Sequence, residues 1–583
     1  MSRVLPVLLG VLVLATGVGL GYQVLQGVGG GGTGAPSDPT AVGDGPPAAP
    51  DVVPQGHLYC GVTEEPGDFN PFTTRSAVVR RYVCGFTHET LLDTDPRTGE
   101  LRGALAREWQ VDPDGMGMVV TLRDGVRFAD GAPMTVEDVL FTFEVARSEG
   151  VSLGTLAEGM HLVASAEVVA GEPARLHLRF ADRHFDAVGT VGRSWVVVQR
   201  RWFLQAIRDQ AQRTAVAAPS PRDPGFGALL AQVTRSPGPG TGPYRFADET
   251  EPQPSWRPAR DLTLFRNGLH WRRAAEPGCW NFGGVRLLFV ADQAARFAAL
   301  HQRAIDWYGG SDLDALLADD ARLQEHYRHV VYDLPQPGIY LVQWNTRRAG
   351  LRDPAVRRAL GMLFDRQAIC DRVFGGNARP VAAFADPRTD AYPQDLQPLP
   401  FDPGAARRLL RDAGFGVEDG PRLSLELLVP VELPVFRQIA ELAADAARTI
   451  GVDLRVQVLP YRTVMDRRSM KDEWDATLML YWLSTPDPHD VFHSEGARNP
   501  TGWHDERAND LLDQQRAELD PERRARLLRE FHHLAFEAQP VSTLVLPRAE
   551  LLLDRHLQNA EVGPLGLWPE RFWMPPRFQR PGP

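Results

Sequence analysis

The second half of the chain alternates predicted helices with predicted strands, and this alternation restricts the fold more than any other feature. Asp402 and Pro403 form a typical helix start, and Gly414 can end that helix in the left-handed conformation. The elements that follow are a strand Leu423 to Pro430, a helix Phe436 to Ile450, a strand Leu454 to Leu459, helices Glu506 to Glu518 and Pro521 to Glu537, and a strand Ser542 to Leu546. Such alternation predicts α/β layers.

Local patterns also predict elements earlier in the chain. Gly56 to Thr63 alternates like a strand, and Ser76 to Leu92 has the apolar spacing of a helix. Trp109 to Phe128 predicts a hairpin, and Thr135 is placed to cap a helix. A further helix begins at Asp353, with apolar residues at helical spacing: Val356, Leu360, Leu363, Phe364 and Val373.

The amino terminus carries an uncharged run from Val4 to about Leu25, and a Gly- and Pro-rich stretch continues to Pro54. We assign residues 1–25 to a signal peptide or a membrane anchor, and residues 26–54 to a flexible tether. An uncleaved anchor is favoured, because the run is long enough for the roughly 30 Å hydrocarbon core and shows no A-x-A-like cleavage site. From about Gln55 the chain is expected to lie in the periplasm or on the extracellular face.

Charge and length exclude several classes of protein. The net charge of −11 argues against nucleic-acid binding, and 583 residues predict three or four domains. Lys471 is the only lysine of the sequence, so chemistry that needs a phosphate-binding or Schiff-base lysine elsewhere is excluded. Arginine is therefore the expected cationic contact for any anionic group of a ligand.

Motifs of enzymes and metal sites are absent from the sequence. There is no HExxH, no cysteine pair at zinc spacing and no GxSxG. We therefore predict a protein that is not an enzyme and has no cofactor and no metal site. His489 and His493 could reach a metal, and we interpret them as surface histidines.

Several segments resemble one known family, the extracytoplasmic solute-binding proteins of peptide, dipeptide and nickel ABC importers (solute-binding protein family 5). The most diagnostic stretch runs from Leu91 to Glu144 and contains LLDTDPRTGELRGALAREWQVDPDG and VTLRDGVRFADGAPMTVEDVLFTFE. Further matches are GTGPYRF, LVQWNT, DPAVRRAL and FDPGAARRLLRDAGF, and the likeness covers about Leu58 to Pro575 in the family's order.

The resemblance implies an α/β fold of two lobes joined by a hinge, the periplasmic-binding-protein-like fold of type II, cluster C, with an extra domain on the first lobe. Domain I would consist of residues 55–90, 241–334 and 547–583. The extra domain II would be residues 91–240, and domain III residues 335–546.

The same resemblance implies a function without catalysis. The protein would bind a peptide or similar solute in the interdomain cleft and deliver it to the permease and ATPase subunits of an ABC importer. It would act as a monomer, tethered to the cytoplasmic membrane through its amino-terminal segment. The alternative is a ligand-sensing subunit that passes the bound state to a signalling partner.

The best candidate for ligand contact is the segment Tyr481 to Asp490, which follows an apolar strand. Trp482 and Tyr481 could wall the cleft, and alternation along a strand leaves only one of them facing the ligand, for which we choose Trp482. Peptide-binding relatives place an Asp three residues after the corresponding Trp, to bind the α-ammonium. Here that position is Thr485, preceded by Ser484.

The presence of Thr485, where peptide-binding relatives have an Asp, leaves two alternatives open. Either Asp487 or Asp490 takes over the ammonium after a local shift, or the ligand lacks a free α-amine, since a buried ammonium without a carboxylate is strongly penalised. Asp487 could equally be a turn residue before Pro488.

Seven further positions lie where relatives approach the ligand or the crossover between domains. Trp344 and Asn345 belong to LVQWNT, with burial of Trp344 in the core as the alternative. Glu64, Glu65, Phe69 and Asn70 follow the first strand, with simple solvation as the alternative for the glutamates. Tyr244 would contact ligand or anchor the crossover between domains.

Two further expectations depend on the implied domains. Cys60, Cys84, Cys279 and Cys370 could form up to two disulfides in three connectivities, and of these we choose Cys60 with Cys279. Arg193, with Trp195, could supply an anion partner for a ligand carboxylate from domain II.

Overall fold

The computed structural model describes residues 56–62, 64–95, 98–149, 151, 162–193, 195–247, 251, 253–290, 292–310, 313, 317, 320–334, 337–416, 423–471, 473–483, 487–496, 498–560, 562–563, 566–567 and 569–581. These residues fold as two compact units. Unit 1 contains the described chain up to Tyr332 and from Glu550 onward, and unit 2 is Asp333–Ala549. The division into three domains stays a prediction.

The strands lie in five sheets. In chain order they are β1 Gly56–Val62, β2 Leu92–Thr94, β3 Leu101–Gly103, β4 Ala106–Val111, β5 Gly117–Leu122, β6 Val163–Val168, β7 Arg175–Phe180, β8 Tyr244–Arg245, β9 Trp256–Arg257, β10 Asp261–Arg266, β11 Gly284–Phe289, β12 Trp307–Gly310, β13 Tyr327–Tyr332, β14 Gly338–Trp344, β15 Ala378–Pro380, β16 Ser424–Pro430, β17 Asp453–Leu459, β18 Ala476–Trp482, β19 Val541–Pro547, β20 Ala549–Asp554, β21 Val562–Gly563, β22 Gly566–Leu567 and β23 Arg580–Pro581.

The helices of the described residues are mostly short. They are α1 Gly85–Thr87, α2 Val136–Ala146, α3 Ala187–Arg193, α4 Arg200–Arg213, α5 Phe226–Leu230, α6 Arg272–Ala275, α7 Gln293–His301, α8 Ala321–His326, α9 Pro354–Gly361, α10 Arg366–Ala368, α11 Pro403–Asp412, α12 Pro434–Thr449, α13 Tyr461–Ser469, α14 His489–Phe492, α15 Glu506–Ala517 and α16 Pro521–Ala538. Two segments are π-helical, Val79–Cys84 and Ile369–Val373.

The main sheet of unit 1 has nine strands, with β1 near its centre. Its path runs β13-β20-β12-β1-β11-β10-β8, and β23 and β9 pair at the sides. β1 pairs in parallel with β11 and β12. Its residues are almost all buried, as expected for a central strand covered on both faces. The predicted strand at Gly56 to Thr63 is confirmed as far as Val62.

The helix predicted over Ser76 to Leu92 is shorter than expected. The π-helical segment Val79–Cys84 continues into α1, and at His88 the backbone becomes extended. The Thr87 hydroxyl donates to the carbonyl of Val83 at 2.8 Å. Leu92 already begins β2, which pairs with β3. The prediction failed at its end because strand pairing, which local apolar spacing does not encode, takes over the last residues.

A second sheet in unit 1 has the order β4-β5-β7-β6. Its first two strands form the predicted hairpin, and Gly115 closes the turn with φ of +70°. Thr135 caps α2 through a capping box with Asp138, as the sequence indicated. The apolar residues of this hairpin, α2 and α4 share one core.

The sheet of unit 2 has six strands in the order β15-β19-β14-β18-β16-β17. β14 is buried along its whole length between β18 and β19, both antiparallel to it. β16 runs parallel to β17 and β18. The strands and helices predicted between Leu423 and Leu546 are all present, with ends shifted by one or two residues.

Capping residues define the helix starts of unit 2. The Asp402 carboxylate accepts from the backbone N–H of Ala405 at 2.7 Å, and Gly414 after the helix has φ of +88°. The helix from Asp353 stops at Gly361, earlier than the apolar spacing suggested. Asp365 caps a new turn there, so Val373 belongs to a separate π-helical segment.

The predicted disulfide between Cys60 and Cys279 is wrong. All four cysteines are free and buried. Burial raises the pKa of the Cys84 thiol to about 12 and that of the Cys370 thiol to about 11. These thiols are apolar core groups rather than crosslinks.

Among the described residues, no helix combines the length and apolarity that crossing a membrane requires. The predicted anchor and tether, residues 1–54, lie outside the described residues.

Candidate ligand-binding site

Trp482 and Tyr481 end β18 and lie on opposite faces of the sheet, as strand alternation predicts. Trp482 is 39 % exposed, whereas Tyr481 is 8 % exposed and packs in the core formed with Ile339 and Phe384. Gly338 on β14 pairs with Trp482. A Cβ at Gly338 would lie 3.4 Å from the indole ring, so the ring lies against bare backbone. Trp482 therefore presents an exposed apolar ring to a ligand, and Tyr481 does not.

The hydroxyl of Tyr481 is held by two polar side chains that the sequence analysis missed. Arg468 Nη2 donates to it at 2.6 Å, and Gln343 Nε2 donates at 3.2 Å. Arg468 Nε also donates to Gln343 Oε1 at 3.0 Å. Arg468 lies 13 residues from Tyr481 on α13, and no local motif marks it as a partner.

The carboxylate of Asp487 is already bound by other groups of the protein. Its carboxylate accepts from Gln515 Nε2 and Arg516 Nε, both at 2.7 Å, and from the backbone N–H of His489 at 3.1 Å. Asp490 also pairs with Arg516, at 3.1 Å. The neighbouring His489 side chain, followed by the charges of Arg516 and Arg498, lowers the pKa of Asp490. Both carboxylates therefore hold cations of the chain itself.

Ser484 and Thr485 lie outside the described residues. Their predicted contact with ligand stays a prediction, and so does the choice between the two readings of Thr485.

Trp344 and Asn345 are fully buried where β14 ends. Trp344 Nε1 donates to Ser542 Oγ at 2.9 Å. Asn345 Nδ2 donates to the carbonyls of Lys471 and Trp474, at 2.7 and 2.9 Å. These bonds join β14 to its neighbours. The structure supports the alternative in which Trp344 is a core residue.

In unit 1, Phe69 and Asn70 are also fully buried. The Phe69 ring lies edge-on to Phe246 and Trp256, with centroids 5.2 and 5.4 Å away. Asn70 Nδ2 donates to the carbonyl of Leu230 at 2.8 Å. Both side chains therefore anchor the loop that follows β1.

Glu64 and Glu65 are exposed on the same loop. Glu65 Oε1 accepts from the backbone N–H of Ala259 at 2.9 Å, so this side chain ties the loop to the β9–β10 turn. Both carboxylates remain open to solvent, which is the arrangement that simple solvation predicts.

The side chains of Tyr244 and Arg193 both contact other residues of unit 1. Tyr244 is buried against Phe86 and Trp280, and burial raises the pKa of its phenol. Arg193 Nη2 lies 3.3 Å from Asp186 Oδ1, and Nη1 donates to Thr94 Oγ1 at 3.2 Å. A structural role is the simplest account of both side chains.

His489, His493 and Asp513 bring three potential metal-ligand atoms within 4.8 Å of one another. The two imidazole rings are stacked, with centroids 4.3 Å apart. His493 Nδ1 accepts from the backbone N–H of Glu495 at 3.1 Å, so the neutral ring carries its proton on Nε2. Nε2 is the nitrogen that faces Asp513, at 3.8 Å, and a protonated nitrogen binds no metal. Asp513 contacts both imidazoles, since His489 Nε2 lies 3.1 Å from its Oδ1.

A family model, that of the bacterial extracellular solute-binding proteins, family 5 Middle, matches residues 100–502. This range is more than half of the chain. The protein belongs to this family. Its members are solute-binding receptors, and the resemblance noted from the sequence motifs is thereby confirmed.

Curated relatives of this family 5 member match over most of their length. The Oligopeptide-binding protein AppA of Bacillus subtilis (strain 168) is 22 % identical over 529 residues, which cover 87 % of this chain and 89 % of the relative. The Dipeptide-binding protein of Escherichia coli (strain K12) is 21 % identical over 540 residues, covering 87 % and 92 %.

Solved structures of related proteins share the fold. AppA from Bacillus subtilis, in complex with a nonapeptide, superposes with a TM-score of 0.67 at 20 % identity, covering 90 % of this chain and 100 % of that one. NikA from Brucella suis, in complex with Fe(III)-EDTA, gives a TM-score of 0.73 at 17 % identity, with coverage of 89 % and 100 %. The predicted two-lobed α/β fold of this family 5 member is therefore confirmed.

Proposed function

We propose that this protein is an extracytoplasmic receptor that binds a peptide or similar solute and hands it to an ABC importer without chemical change. The observation that carries this proposal is the match to oligopeptide- and dipeptide-binding proteins along nearly the whole chain. The exposed Trp482 ring supports it, because aromatic walls are typical of sites that bind small solutes.

The proposal includes the organisation expected from the sequence. Residues 335–546 form one lobe, residues 55–90, 241–334 and 547–583 form the other, and residues 91–240 form the extra domain. The amino-terminal segment holds the monomer at the outer face of the cytoplasmic membrane, and the permease and ATPase subunits of the importer are its partners. The sensing alternative receives no support from the relatives described above.

Ligand contacts in this proposal centre on Trp482. Its ring is exposed. The other aromatic and amide candidates are buried inside the protein, namely Trp344, Asn345, Phe69, Asn70 and Tyr244. Those five would act by shaping the backbone around the site. Glu64 and Glu65 remain available to a basic group of the ligand.

The test is native mass spectrometry of the full-length protein, purified in detergent, to identify what co-purifies. Peptides are expected. Recovery of a sugar or a metal complex with no peptide would contradict the proposal.

Two variants sharpen this test. Trp482→Ala should lower the occupancy of co-purified peptide about tenfold or more, because it removes a large apolar contact. Phe401→Ala is the matched control, since Phe401 is an apolar residue of unit 2 that is 44 % exposed. Equal effects of both changes on occupancy would remove Trp482 from the site.

A further inference from the structure

The chain crosses between the two units twice, and charged side chains hold it at both crossings. It leaves unit 1 between Tyr332 and Asp333, and it returns between Ala549 and Glu550. The strands that meet these crossings in unit 1, β13 and β20, are neighbours in the main sheet. The two crossings therefore lie side by side.

On the unit 1 side, burial and one side-chain contact hold the crossings. Tyr332 is 5 % exposed and Glu550 is 3 % exposed. Glu550 Oε2 lies 3.2 Å from Nε2 of His329, which belongs to β13. The ends of β13 and β20 next to the crossings are thereby fixed to the sheet of unit 1.

On the unit 2 side, the carboxylate of Asp333 joins the two crossings. Its Oδ1 lies 3.5 Å from Nε of Arg548, the residue directly before β20. Nη2 of Arg379, on β15, lies 4.0 Å from the same oxygen. The backbone N–H of Arg548 donates to the carbonyl of Asn377 at 2.8 Å. The first crossing is thus bound both to the second crossing and to β15.

Arg388 holds the next residue of the first crossing. Its Nη2 donates to the carbonyl of Leu334 and to Asp386 Oδ2, both at 2.5 Å. Its Nε donates to the two oxygens of Asp386, at 3.1 and 3.0 Å. Arg379 Nη2 donates to Asp386 Oδ1 at 3.5 Å. Five charged residues therefore form one continuous set, which we call the crossing cluster: Arg548, Asp333, Arg379, Asp386 and Arg388.

The loop that carries Asp386 and Arg388 is packed on its own small core in unit 2. Its alanines are buried around Tyr392, and the Tyr392 hydroxyl accepts from the backbone N–H of Ala382 at 2.9 Å. Thr389 Oγ1 donates to the carbonyl of Asp386 at 2.8 Å. The crossing cluster is therefore attached to a well-packed part of unit 2.

The two crossings differ in how they are held to unit 2. The second has backbone pairing, since Pro547 pairs with Ala378 of β15. For Asp333 and Leu334, the contacts with unit 2 that the described residues show are made by arginine side chains. Without these arginines, nothing described would make the first crossing move with unit 2 rather than with β13.

We propose that the crossing cluster makes both crossings move with unit 2, so that opening and closing of the receptor bend the chain between Tyr332 and Asp333 and between Arg548 and Glu550. A hinge is commonly a few residues that absorb the change in backbone angles. The inference rests on the proposed function, because it concerns how such a receptor opens. It adds the position of the hinge and the side chains that limit its length. Loss of the cluster lengthens the hinge, and the bound solute then leaves faster.

The first experiment measures the spread of distances between the units in the full-length protein, purified in detergent. Spin labels are attached to Asp124→Cys in unit 1 and to Asp445→Cys in unit 2, both exposed positions. The four native cysteines are buried, so the labels go to the added ones. Arg388→Met should widen the distribution of label distances relative to the wild type, and Asp333→Asn should widen it as well.

Arg467→Met is the matched control. Arg467 has partners of the same kind as Arg388, since its Nη2 lies 2.8 Å from Glu426 Oε2 and its Nε donates to the carbonyl of Glu473 at 3.0 Å. The two arginine side chains are 29 % and 32 % exposed. Arg467→Met should lower the melting temperature about as much as Arg388→Met and leave the distances unchanged. A wild-type distribution in Arg388→Met, or an equal widening in Arg467→Met, overturns the inference.

The second experiment measures the release of a tripeptide pool with free termini. Bound tripeptide is chased with an isotope-labelled excess and followed by native mass spectrometry. Arg388→Met should release it about threefold or more faster than the wild type, the scale expected for partly exposed ion pairs. Raising the salt from about 50 mM to about 500 mM should speed release from the wild type more than from Arg388→Met, because salt screens the crossing cluster. Equal rates, or equal responses to salt, overturn the inference.

The two proposals fail in different ways. A wild type that binds no tripeptide contradicts the proposed function. The label distances need no ligand, so they decide on the crossing cluster whatever the binding result.

Discussion

The indole ring of Trp482 lies against the bare backbone of Gly338 on the adjacent strand. A Cβ at Gly338 would stand 3.4 Å from Cε3 of Trp482 and 2.7 Å from Cδ1 of Leu480. The absence of a side chain at Gly338 therefore sets the position of the exposed ring, since aromatic side chains pack by close contact with their cross-strand neighbours.

Gly338→Ala should destabilise the protein by about 1–3 kcal/mol, because the added methyl group overpacks Leu480. It should also weaken binding of co-purified peptide, because Trp482 must shift. The measurements are urea unfolding and ligand occupancy. Gly67→Ala is the matched control, since a Cβ at Gly67 meets no atom within 4 Å. An unchanged unfolding midpoint in Gly338→Ala would show that the contact is not tight.

Trp344→Ala should cost about 3–5 kcal/mol of unfolding free energy, because the indole is fully buried and a cavity would remain. Ser542→Ala should cost only about 1 kcal/mol through loss of the bond from Trp344 Nε1. Chemical unfolding measures both values. A Trp344→Ala variant of nearly wild-type stability would contradict the core assignment and revive a role in ligand binding.

Asp487→Asn should lower the free energy of unfolding by about 1–3 kcal/mol, because the carboxylate joins Gln515 and Arg516 to the start of α14. Asp445→Asn serves as the control, since Asp445 and Arg448 form an exposed pair whose loss should cost under about 0.5 kcal/mol. Should Asp487→Asn instead abolish peptide binding at unchanged stability, Asp487 would be the ammonium partner after all.

Acid should destabilise the protein through three buried histidines. Burial lowers the pKa of His57 and His88 to about 4 and that of His532 to about 3. The unfolded chain takes up these protons near pH 6.5 and the folded chain does not, so stability falls as pH drops below about 6.5. Each ring should cost about 2 kcal/mol at pH 5. Urea midpoints at pH 7 and pH 5 measure the effect.

Asp306 acts in the opposite direction. Burial raises its pKa to about 6, so the folded state binds this proton first and gains stability as pH falls through 6. The stability gained through this one carboxyl group offsets only part of the stability lost through the three imidazoles. A midpoint at pH 5 equal to or above that at pH 7 would therefore show that the histidines are protonated in the folded protein.

The four cysteines should react slowly with a thiol reagent in the folded protein at pH 8, because they are buried and the thiolate is the reactive form. Burial raises the pKa of Cys279 to about 12, as it does for Cys84. In denaturant without reductant, all four should titrate. A count of two would mean that a disulfide forms outside the cytoplasm.

Local chemistry was sufficient to predict much of the fold. Apolar alternation marked β1 and the hairpin β4–β5, and the caps at Thr135 and Asp402 marked two helix starts. These features depend on residues within a few positions of each other, so they can be read without knowing the rest of the chain. The motifs between Leu91 and Glu144 likewise identified the family.

Only the tertiary structure decided which candidate residues are accessible. Asp487 is held by a side chain 29 residues away, and Trp344 by one 198 residues away. The cysteine pairing failed for the same reason, since distance in space is set by sheet order. Local sequence determines elements, whereas burial and charge pairing depend on long-range contacts that form only when those elements pack.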